Sequence, residues 1–277
     1  QPAAGDAGGA LGAALAVWHG PTNPRPPSRL HPTDLMQGAL LGPRFSPDEI
    51  RETLRAHHAV FHELTDDALF ARTVELLQQE QIVGWFQGRM EFGPRALGNR
   101  SILADARSPR IQSELNLKIK QRESFRPFAP VVRAERVADY FELEVESPYM
   151  LLVAPVRQSL RRPTDPTAQG LDRLKQIRST IPAVTHVDYS ARIQTVTRAQ
   201  NPRLYLLLER FEQSTGCGVL VNTSFNVRGE PIVGSPDDAY RCFINTAMDY
   251  LVLENFLLAR TDQPHQQLPL KSQLAPD

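Results

Sequence analysis

The sequence has no net charge, no long apolar run and very few cysteines. Its 31 Lys and Arg residues balance its 31 Asp and Glu residues, so the whole molecule has no electrostatic attraction to nucleic acid or to a membrane surface. No run approaches the ~18 apolar residues of a membrane span. We therefore expect neither a nucleic acid nor a membrane among the partners of this chain.

The two cysteines, Cys217 and Cys242, form no Cys-x-x-Cys pair and no disulfide framework. Each lies among apolar residues, which is typical of a reduced thiol in a protein core. The N-terminus also lacks the basic region and the long apolar run of a signal peptide. We therefore expect a cytoplasmic protein. Because the chain begins at Gln1 rather than at methionine, it is also a candidate fragment of a longer protein.

Common nucleotide and metal motifs are missing as well. There is no P-loop consensus, no Gly-x-Gly-x-x-Gly and no arguable Ser–His–Asp arrangement. His57, His58 and His62 attract attention because histidines four residues apart share a helical face. However, no third ligand is close in sequence, and the segment is typical of a helix end. The favoured interpretation is three histidines without a metal.

Small residues and prolines divide the chain into four parts. Residues 1–20 are rich in alanine and glycine and predict a helix from about Ala7 to His19, with Asp6 at or near its N-cap. Residues 21–45 hold four prolines within seven residues, which predicts a stiff linker. Residues 46–261 are predicted to form the main domain, and residues 262–277, rich in Gln and Pro, a disordered tail.

Helices and strands alternate irregularly within the main domain. Helix caps predict helices after Ser46, Thr65, Asn201 and Ser235, the last ending near Met248. Apolar or alternating patterns predict strands at residues 82–86, 128–133, 150–156, 184–196, 219–221 and 250–253, with a polar loop at 222–226. These elements predict an α/β domain with a mixed, twisted sheet and flanking helices.

Residues 84–105 are the most informative segment, because three arginines alternate there with four glycines. Glycine lets a backbone approach a ligand closely. Arg89, Arg95 and Arg100 each supply a planar fork of donors that suits carboxylate and phosphate oxygens. The segment therefore predicts a binding loop for a phosphorylated or carboxylated ligand. The alternative is a surface loop with solvated arginines.

Three further polar segments adjoin predicted strands. They are Lys118-Ile-Lys-Gln-Arg-Glu-Ser-Phe-Arg-Pro-Phe-Ala-Pro130, Thr185-His-Val-Asp-Tyr-Ser-Ala-Arg-Ile-Gln-Thr195 and Asn222-Thr-Ser-Phe-Asn226. Arginines near strand ends, with amide and hydroxyl donors, suit a nucleotide triphosphate and a second small anion. Each segment alone is a weak signal. Glu91 and Glu123 are equally interpretable as ion-pair partners of the arginines or as acid–base groups.

Taken together, these segments resemble one known family. Gly88-Arg-Met-Glu-Phe-Gly-Pro-Arg-Ala-Leu-Gly-Asn-Arg-Ser-Ile-Leu-Ala-Asp105 resembles the C-terminal signature of the O-carbamoyltransferases, which include nodulation-factor, cephalosporin and aminoglycoside carbamoyltransferases. Residues 122–130, 186–194 and 222–226 match later motifs in order, within a match over about residues 80–255. The resemblance implies a YrdC-like fold here, and it implies that residues 1–20 are the end of an actin-like N-terminal domain.

The resemblance also implies a reaction. The domain would form carbamoyl-adenylate from carbamoyl phosphate and ATP, releasing pyrophosphate, for later transfer of the carbamoyl group to an unknown small-molecule hydroxyl. Arg95, Arg126 and Arg192 are the implied catalytic and anion-binding residues, with Asn222 and Ser224 as polar ligands of the same substrates. Magnesium is expected to accompany ATP, although no sequence feature identifies its ligands.

Nearly all of the family's N-terminal domain is absent from this sequence. The resemblance implies that Asp6 is a ligand of an iron or other divalent metal in that domain, together with histidines that this sequence lacks. Without them, Asp6 would only cap a helix. We therefore expect the chain to retain the adenylating half, or to be a fragment of a complete enzyme, and not to complete transfer alone.

Two other readings of the same residues remain. The chain could be a non-catalytic nucleotide- or RNA-binding module of the same fold, in which the arginines grip phosphates. Zero net charge and few interleaved aromatics disfavour RNA. The chain could also be a degenerate structural remnant. The intact Arg95, Arg126, Arg192 and Ser224 disfavour this reading, because nothing in the fold alone requires them.

Overall fold

The computed structural model describes residues 5–20, 23, 34 and 36–264, with only the backbone at residues 6 and 7. The α-helices in this part of the chain are α1 (Asp6–Trp18), α2 (Pro47–Ala56), α3 (Asp66–Gln78), α4 (Ile111–Glu114), α5 (Val137–Tyr140), α6 (Gly170–Lys175), α7 (Pro202–Thr215) and α8 (Pro236–Ile244). The strands are β1 (His62–Glu63), β2 (Val83–Phe86), β3 (Arg100–Asp105), β4 (Ala129–Arg133), β5 (Val153–Pro155), β6 (Ser190–Arg192), β7 (Gln194–Val196), β8 (Val219–Ser224), β9 (Tyr250–Leu253) and β10 (Phe256–Ala259).

The predicted caps begin the long helices of the main domain. The side chains of Ser46, Thr65, Asn201 and Ser235 each accept a hydrogen bond from the first turn of the helix that follows, which satisfies one of the free N–H groups there. α7 ends at Gly216, whose φ of 74° is left-handed. These helix predictions are confirmed, except that α8 ends at Ile244 rather than near Met248.

The strands form an eight-stranded mixed sheet in the order β1-β10-β9-β2-β3-β8-β4-β7. β2 runs parallel to β9, and β4 parallel to β7, whereas the other neighbours are antiparallel. The prediction of an α/β domain with a mixed sheet and flanking helices is therefore confirmed. The arrangement is also consistent with the YrdC-like fold that the resemblance implies.

Helices cover both faces of the sheet. Leu69 and Phe70 of α3 share a buried cluster with Leu207 of α7 and with Leu103 at the centre of the sheet. On the other face, residues of α2 and α8 join a larger cluster with alternate residues of the same strands. A strand that is buried on both faces can carry apolar residues at every position, as the fully buried β2 does.

The strand predicted over residues 184–196 is wrong as a single element. β6 pairs with β5 in a separate two-stranded sheet, whereas β7 pairs with β4 in the main sheet. Residues before β6 form a turn, in which Tyr189 has a φ of 66° and the Asp188 carboxylate accepts a hydrogen bond from the Ser190 backbone N–H at 3.0 Å. The alternating pattern is therefore divided between two sheets.

Two predicted loops are partly strands. Segment 84–105 contains the end of β2 and the whole of β3, so the loop itself spans residues 87–99. Segment 222–226 begins as strand, because β8 continues to Ser224 and pairs with β3 on one side and β4 on the other. β3 and β10 were not predicted as strands. The corrections to segments 84–105 and 222–226 place polar residues on the central strands β3 and β8 rather than in free loops.

Several predictions concern the ends of the chain. α1 begins at Asp6, directly after Gly5, which confirms the predicted helix. Most of residues 21–35 and all of residues 265–277 lie outside the described residues, so the predicted linker and tail stay predictions. Residues 39–43, which fall within the predicted linker, form backbone hydrogen bonds with Met90 and Phe92. Among the described residues, no helix has both the length and the apolarity that a bilayer span requires.

Candidate functional site

The four polar segments meet at one edge of the main sheet. β8 is antiparallel to β3 and β4, with Ser101 opposite Ser224 and Ala129 opposite Asn222. β7 is parallel to β4, so it starts at the same edge. The N-terminal ends of β3, β4 and β7 therefore lie beside the C-terminal end of β8. We call this region the polar edge; it comprises residues 87–99, 118–128, 185–194 and 222–226.

Buried amides tie the segments of the polar edge together. The Asn222 side-chain N–H₂ donates to the Ala96 carbonyl at 3.1 Å and to Gln194 Oε1 at 2.6 Å. Gln194 in turn donates to the Leu97 carbonyl at 2.7 Å. Asn222 is 1% exposed, so its buried hydrogen bond to Ala96 holds the loop of residues 87–99 against β8. Gln194 lies within a segment that the sequence singled out, but it was not among the predicted site residues.

Arg95 and Arg192 come together at the outer side of this network. Arg95 lies next to Ala96, and Arg192 lies two residues before Gln194. Burial, and then the nearby charge of Arg95, lowers the pKa of Arg192 below its ordinary value. Within the described part of the chain, no carboxylate lies within 4.0 Å of either guanidinium. Two cations held together without a counterion form a site that an anion would stabilise.

A second cationic cluster surrounds Ser224. A cleft of about 190 Å³ is lined by Lys120, Arg122, Arg126, Ser224, Asn226, Val227, Arg228 and Gly229. Arg122 donates from Nε to Asn116 Oδ1 at 2.6 Å, and burial followed by the charge of Arg126 lowers its pKa. Arg126 is exposed and lies 3.8 Å from the Glu123 carboxylate. The structure therefore brings Arg126 and Ser224, two predicted site residues, into one cleft.

Lys120 is the most unusual group in this cleft, and it was absent from the predicted site residues. Its Nζ lies within hydrogen-bond distance of four oxygens, which are Asn226 Oδ1 at 2.8 Å, the Asn226 carbonyl at 3.0 Å, Ser224 Oγ at 3.2 Å and the Ser224 carbonyl. Burial lowers the pKa of Lys120 to about 7. Its only sequence signal was its place in segment 118–130. In the structure it directly follows the π-helical turn Leu115–Ile119. Such turns often occur at functional sites.

The two clusters adjoin neighbouring positions of β8. Asn222 and Ser224 are two residues apart on β8, so their side chains share a face. With ~3.3 Å of rise per residue, their Cα atoms lie about 7 Å apart. Asn222 orders the loop that carries Arg95, and Ser224 contacts Lys120. The polar edge thus offers two adjacent cationic positions, which suits two small anions held side by side.

Arg100 has a different role from Arg95, although both lie in the same sequence segment. It is fully buried and donates to the carbonyls of Gln87, Asn99, Gly88 and Pro43 at 2.8–3.2 Å. Its guanidinium lies 3.5 Å from the centroid of the Phe86 ring, and burial lowers its pKa to about 10. Arg100 therefore holds the loop in shape. Its two Nη atoms donate to backbone oxygens, whereas its buried Nε has no hydrogen-bond partner among the described residues.

The described residues contain no group of three or more His, Cys, Asp or Glu side chains placed to hold a metal ion. His57 instead contacts the Asp237 carboxylate at 2.7 Å and stacks on Tyr240, and His62 lies on β1. The Asp6 side chain lies outside the described part of the chain.

A larger cleft of about 820 Å³ is lined by Gln87, Arg89 and residues at the start of α7, among others, but by none of the five substrate-binding residues predicted for the domain.

Comparison with known proteins shows the family to which these segments belong. The family model described as Carbamoyltransferase C-terminus matches residues 74–260, which hold all four segments of the polar edge. An uncharacterised protein of Synechocystis sp. is 58% identical over 99% of this chain. Nodulation protein NolNO of Sinorhizobium fredii is 39% identical over 100% of it. The 3'-hydroxymethylcephem-O-carbamoyltransferase of Streptomyces clavuligerus is 44% identical over 58%.

These relatives are much longer than the present chain. The aligned part covers 45% of the Synechocystis protein, 38% of NolNO and 27% of the cephem carbamoyltransferase, so the chain spans less than half the length of each. The family model nevertheless matches more than half of the chain, including the whole polar edge. The chain therefore belongs to the carbamoyltransferase C-terminus family.

Proposed function

We propose that this chain is the adenylating part of an O-carbamoyltransferase, and that the polar edge binds carbamoyl phosphate and ATP. The observation that carries the proposal is the pair of adjacent cationic clusters, in which Arg95 and Arg192 lack a counterion among the described residues. Both substrates are phosphate anions. Phosphate oxygens would accept charge-assisted hydrogen bonds from the arginines, which are about twice as strong as neutral ones.

The proposed reaction needs charge stabilisation and alignment more than a covalent intermediate on the protein. Water cleaves carbamoyl phosphate into carbamate and inorganic phosphate. A carbamate oxygen then bonds to the α-phosphorus of ATP, and the bond between that phosphorus and the oxygen of pyrophosphate breaks. The products are carbamoyl-adenylate, pyrophosphate and phosphate. Magnesium would accompany ATP and neutralise part of its charge.

The two clusters divide the substrates in this proposal. The cleft around Lys120 and Ser224 is lined by three arginines, Arg122, Arg126 and Arg228, against two in the other cluster, so it is assigned the triphosphate of ATP. Arg95 and Arg192, beside the Asn222 network, are assigned the phosphate of carbamoyl phosphate. The hydroxyl acceptor is not assigned a pocket here. In this proposal the carbamoyl group passes to it in the longer protein, whose relatives include an enzyme named for O-carbamoyl transfer.

The direct test is release of pyrophosphate by the 277-residue chain with ATP, magnesium and carbamoyl phosphate. We expect pyrophosphate and phosphate to appear in equal amounts, and pyrophosphate to stay at background when carbamoyl phosphate is omitted. ATP binding without this dependence would favour the non-catalytic nucleotide-binding alternative. A folded chain that neither binds ATP nor releases pyrophosphate would contradict the proposal.

Lys120 gives a prediction about protons. With a pKa of about 7 in the free protein, the amine is mostly neutral at pH 8. A bound triphosphate brings negative charge, which raises this pKa and favours the ammonium form. ATP binding at pH 8 is therefore expected to take up about one proton, measured by calorimetry in buffers of different ionisation enthalpy.

The matched variant for this experiment is Lys120→Arg, because a guanidinium stays protonated at pH 8. Binding to the variant is expected to proceed without the Lys120-dependent uptake. Below pH 6, where the lysine is already protonated, the wild type and the variant should differ little in proton uptake. The same uptake at pH 8 in both proteins would show that another group takes the proton.

A further inference from the structure

Glu91 is a buried carboxylate at the start of the segment that carries Arg95. It is 4% exposed, and its Oε1 accepts backbone hydrogen bonds from Leu97 at 2.6 Å, Asn99 at 2.8 Å and Arg100 at 3.2 Å. Three converging backbone N–H groups form a small anion-binding concavity. In this protein the occupant is one of its own side chains, and the result is a closed loop between Glu91 and Leu97.

Further contacts fix the C-terminal end of that loop, at residues 96–98. Gly98 has a φ of 106°, and a side chain there would collide with Leu204, so only glycine fits both the backbone and the space. The Leu97 carbonyl accepts from Gln194, and the Ala96 carbonyl from Asn222. Both ends of the segment are therefore fixed, and Arg95 lies on the short exposed stretch between them.

The fixed position has an electrostatic consequence. Arg95 is held near Arg192, although like charges at close range repel each other. A flexible segment would let the two guanidinium groups separate and would have to be ordered again when an anion binds. In a segment closed by three charge-assisted hydrogen bonds, most of the entropy of ordering is already lost when the protein folds. Less of this entropy loss then opposes anion binding.

We propose that Glu91 is a positioning residue, which keeps Arg95 beside Arg192 so that the two form one anion-binding pair. This inference rests on the proposed function, because Arg95 is taken there as a ligand of a substrate phosphate. Oε1 of Glu91 faces backbone N–H groups, and its buried Oε2 has no hydrogen-bond partner among the described residues. In this proposal Glu91 is not a ligand of the substrate. Its effect on activity must therefore pass through Arg95.

A double-mutant cycle tests this dependence. Glu91→Gln keeps one accepting oxygen but loses the charge, so we expect it to lower kcat/KM for carbamoyl phosphate about tenfold, since charge-assisted hydrogen bonds are roughly twice as strong as neutral ones. In the Arg95→Gln background the same change should have almost no further effect. An equal loss in both backgrounds would overturn the proposal, because a general structural role does not depend on Arg95.

A second readout separates this inference from the proposed function. Binding of inorganic phosphate to the same four proteins, measured by calorimetry, should show the same dependence on Arg95 even if the wild type forms no carbamoyl-adenylate. If the wild type releases no pyrophosphate but the binding cycle is coupled, only the proposed reaction fails. If phosphate binding shows no coupling, or if it is absent, the positioning role fails. Should Glu91→Gln not fold, Glu91→Asp replaces it in the cycle, with the same expected coupling.

Discussion

Replacing Arg95 with glutamine is expected to lower carbamoyl-phosphate-dependent pyrophosphate release by about 100-fold, the effect of removing one preorganised donor to a transition-state charge. Arg95 is exposed, and its charge lies beside that of Arg192. Its removal therefore takes away a cation that the proposed phosphate needs, while it also relieves a repulsion in the free protein. The measurement is steady-state pyrophosphate release, with thermal unfolding recorded in parallel.

The matched control is Arg110→Gln. Arg110 is also an exposed arginine, and its side chain pairs with Glu80. It follows the C-terminal end of β3, so it lies at the opposite edge of the sheet from Arg95. We expect this variant to keep wild-type activity, and both variants to unfold close to the wild-type temperature. An Arg95→Gln variant with wild-type activity would remove Arg95 from the proposed site.

Replacing Arg100 with methionine is expected to lower the stability of the protein strongly, whereas the Arg95 variant is expected to keep it. The side chain is fully buried and donates to four backbone carbonyls. Methionine fills much of the space on Phe86 but offers no donor. Because buried acceptors that lose their donors cost about 1–3 kcal/mol each, we expect the free energy of unfolding to fall by about 3 kcal/mol or more. Urea denaturation measures the change.

Arg89→Met is the control for this second experiment. Arg89 belongs to the same loop, but it is exposed and donates to the single carbonyl of Gly42 at 3.0 Å. Its replacement is expected to change the free energy of unfolding far less than that of Arg100. Equal losses for the two variants would contradict the assignment of Arg100 as the arginine that holds the loop in shape.

The elements that the sequence predicted well are those whose signals are local. Ser46, Thr65 and Asn201 cap the helices that directly follow them, and each cap is formed within one turn. The carbamoyltransferase segments were found for a similar reason, since each motif is continuous in sequence. The α/β class followed from the pattern of these elements and did not require knowledge of their pairing.

The errors arise where a residue's surroundings come from distant parts of the chain. Asn222 was predicted to lie in a loop because it is polar, but it lies on β8, where its side-chain N–H₂ donates to Ala96 and Gln194, which are far away in sequence. Arg95 and Arg100 look alike in the sequence, and only tertiary burial separates them. Lys120 was missed as a site residue because its lowered pKa results from burial in the folded chain, which the sequence does not show.

Whether this chain joins a carbamoyl group to AMP, as we propose, can be measured with an oxygen label. Carbamoyl phosphate carrying oxygen-18 in its carbonyl group is incubated with the chain, ATP and magnesium, and the mixture is quenched with hydroxylamine, which attacks the carbamoyl carbon. If a carbamate oxygen has bonded to the α-phosphorus, AMP keeps oxygen-18 in its phosphate group. AMP without the label, or no AMP above background, would contradict the formation of carbamoyl-adenylate by this chain.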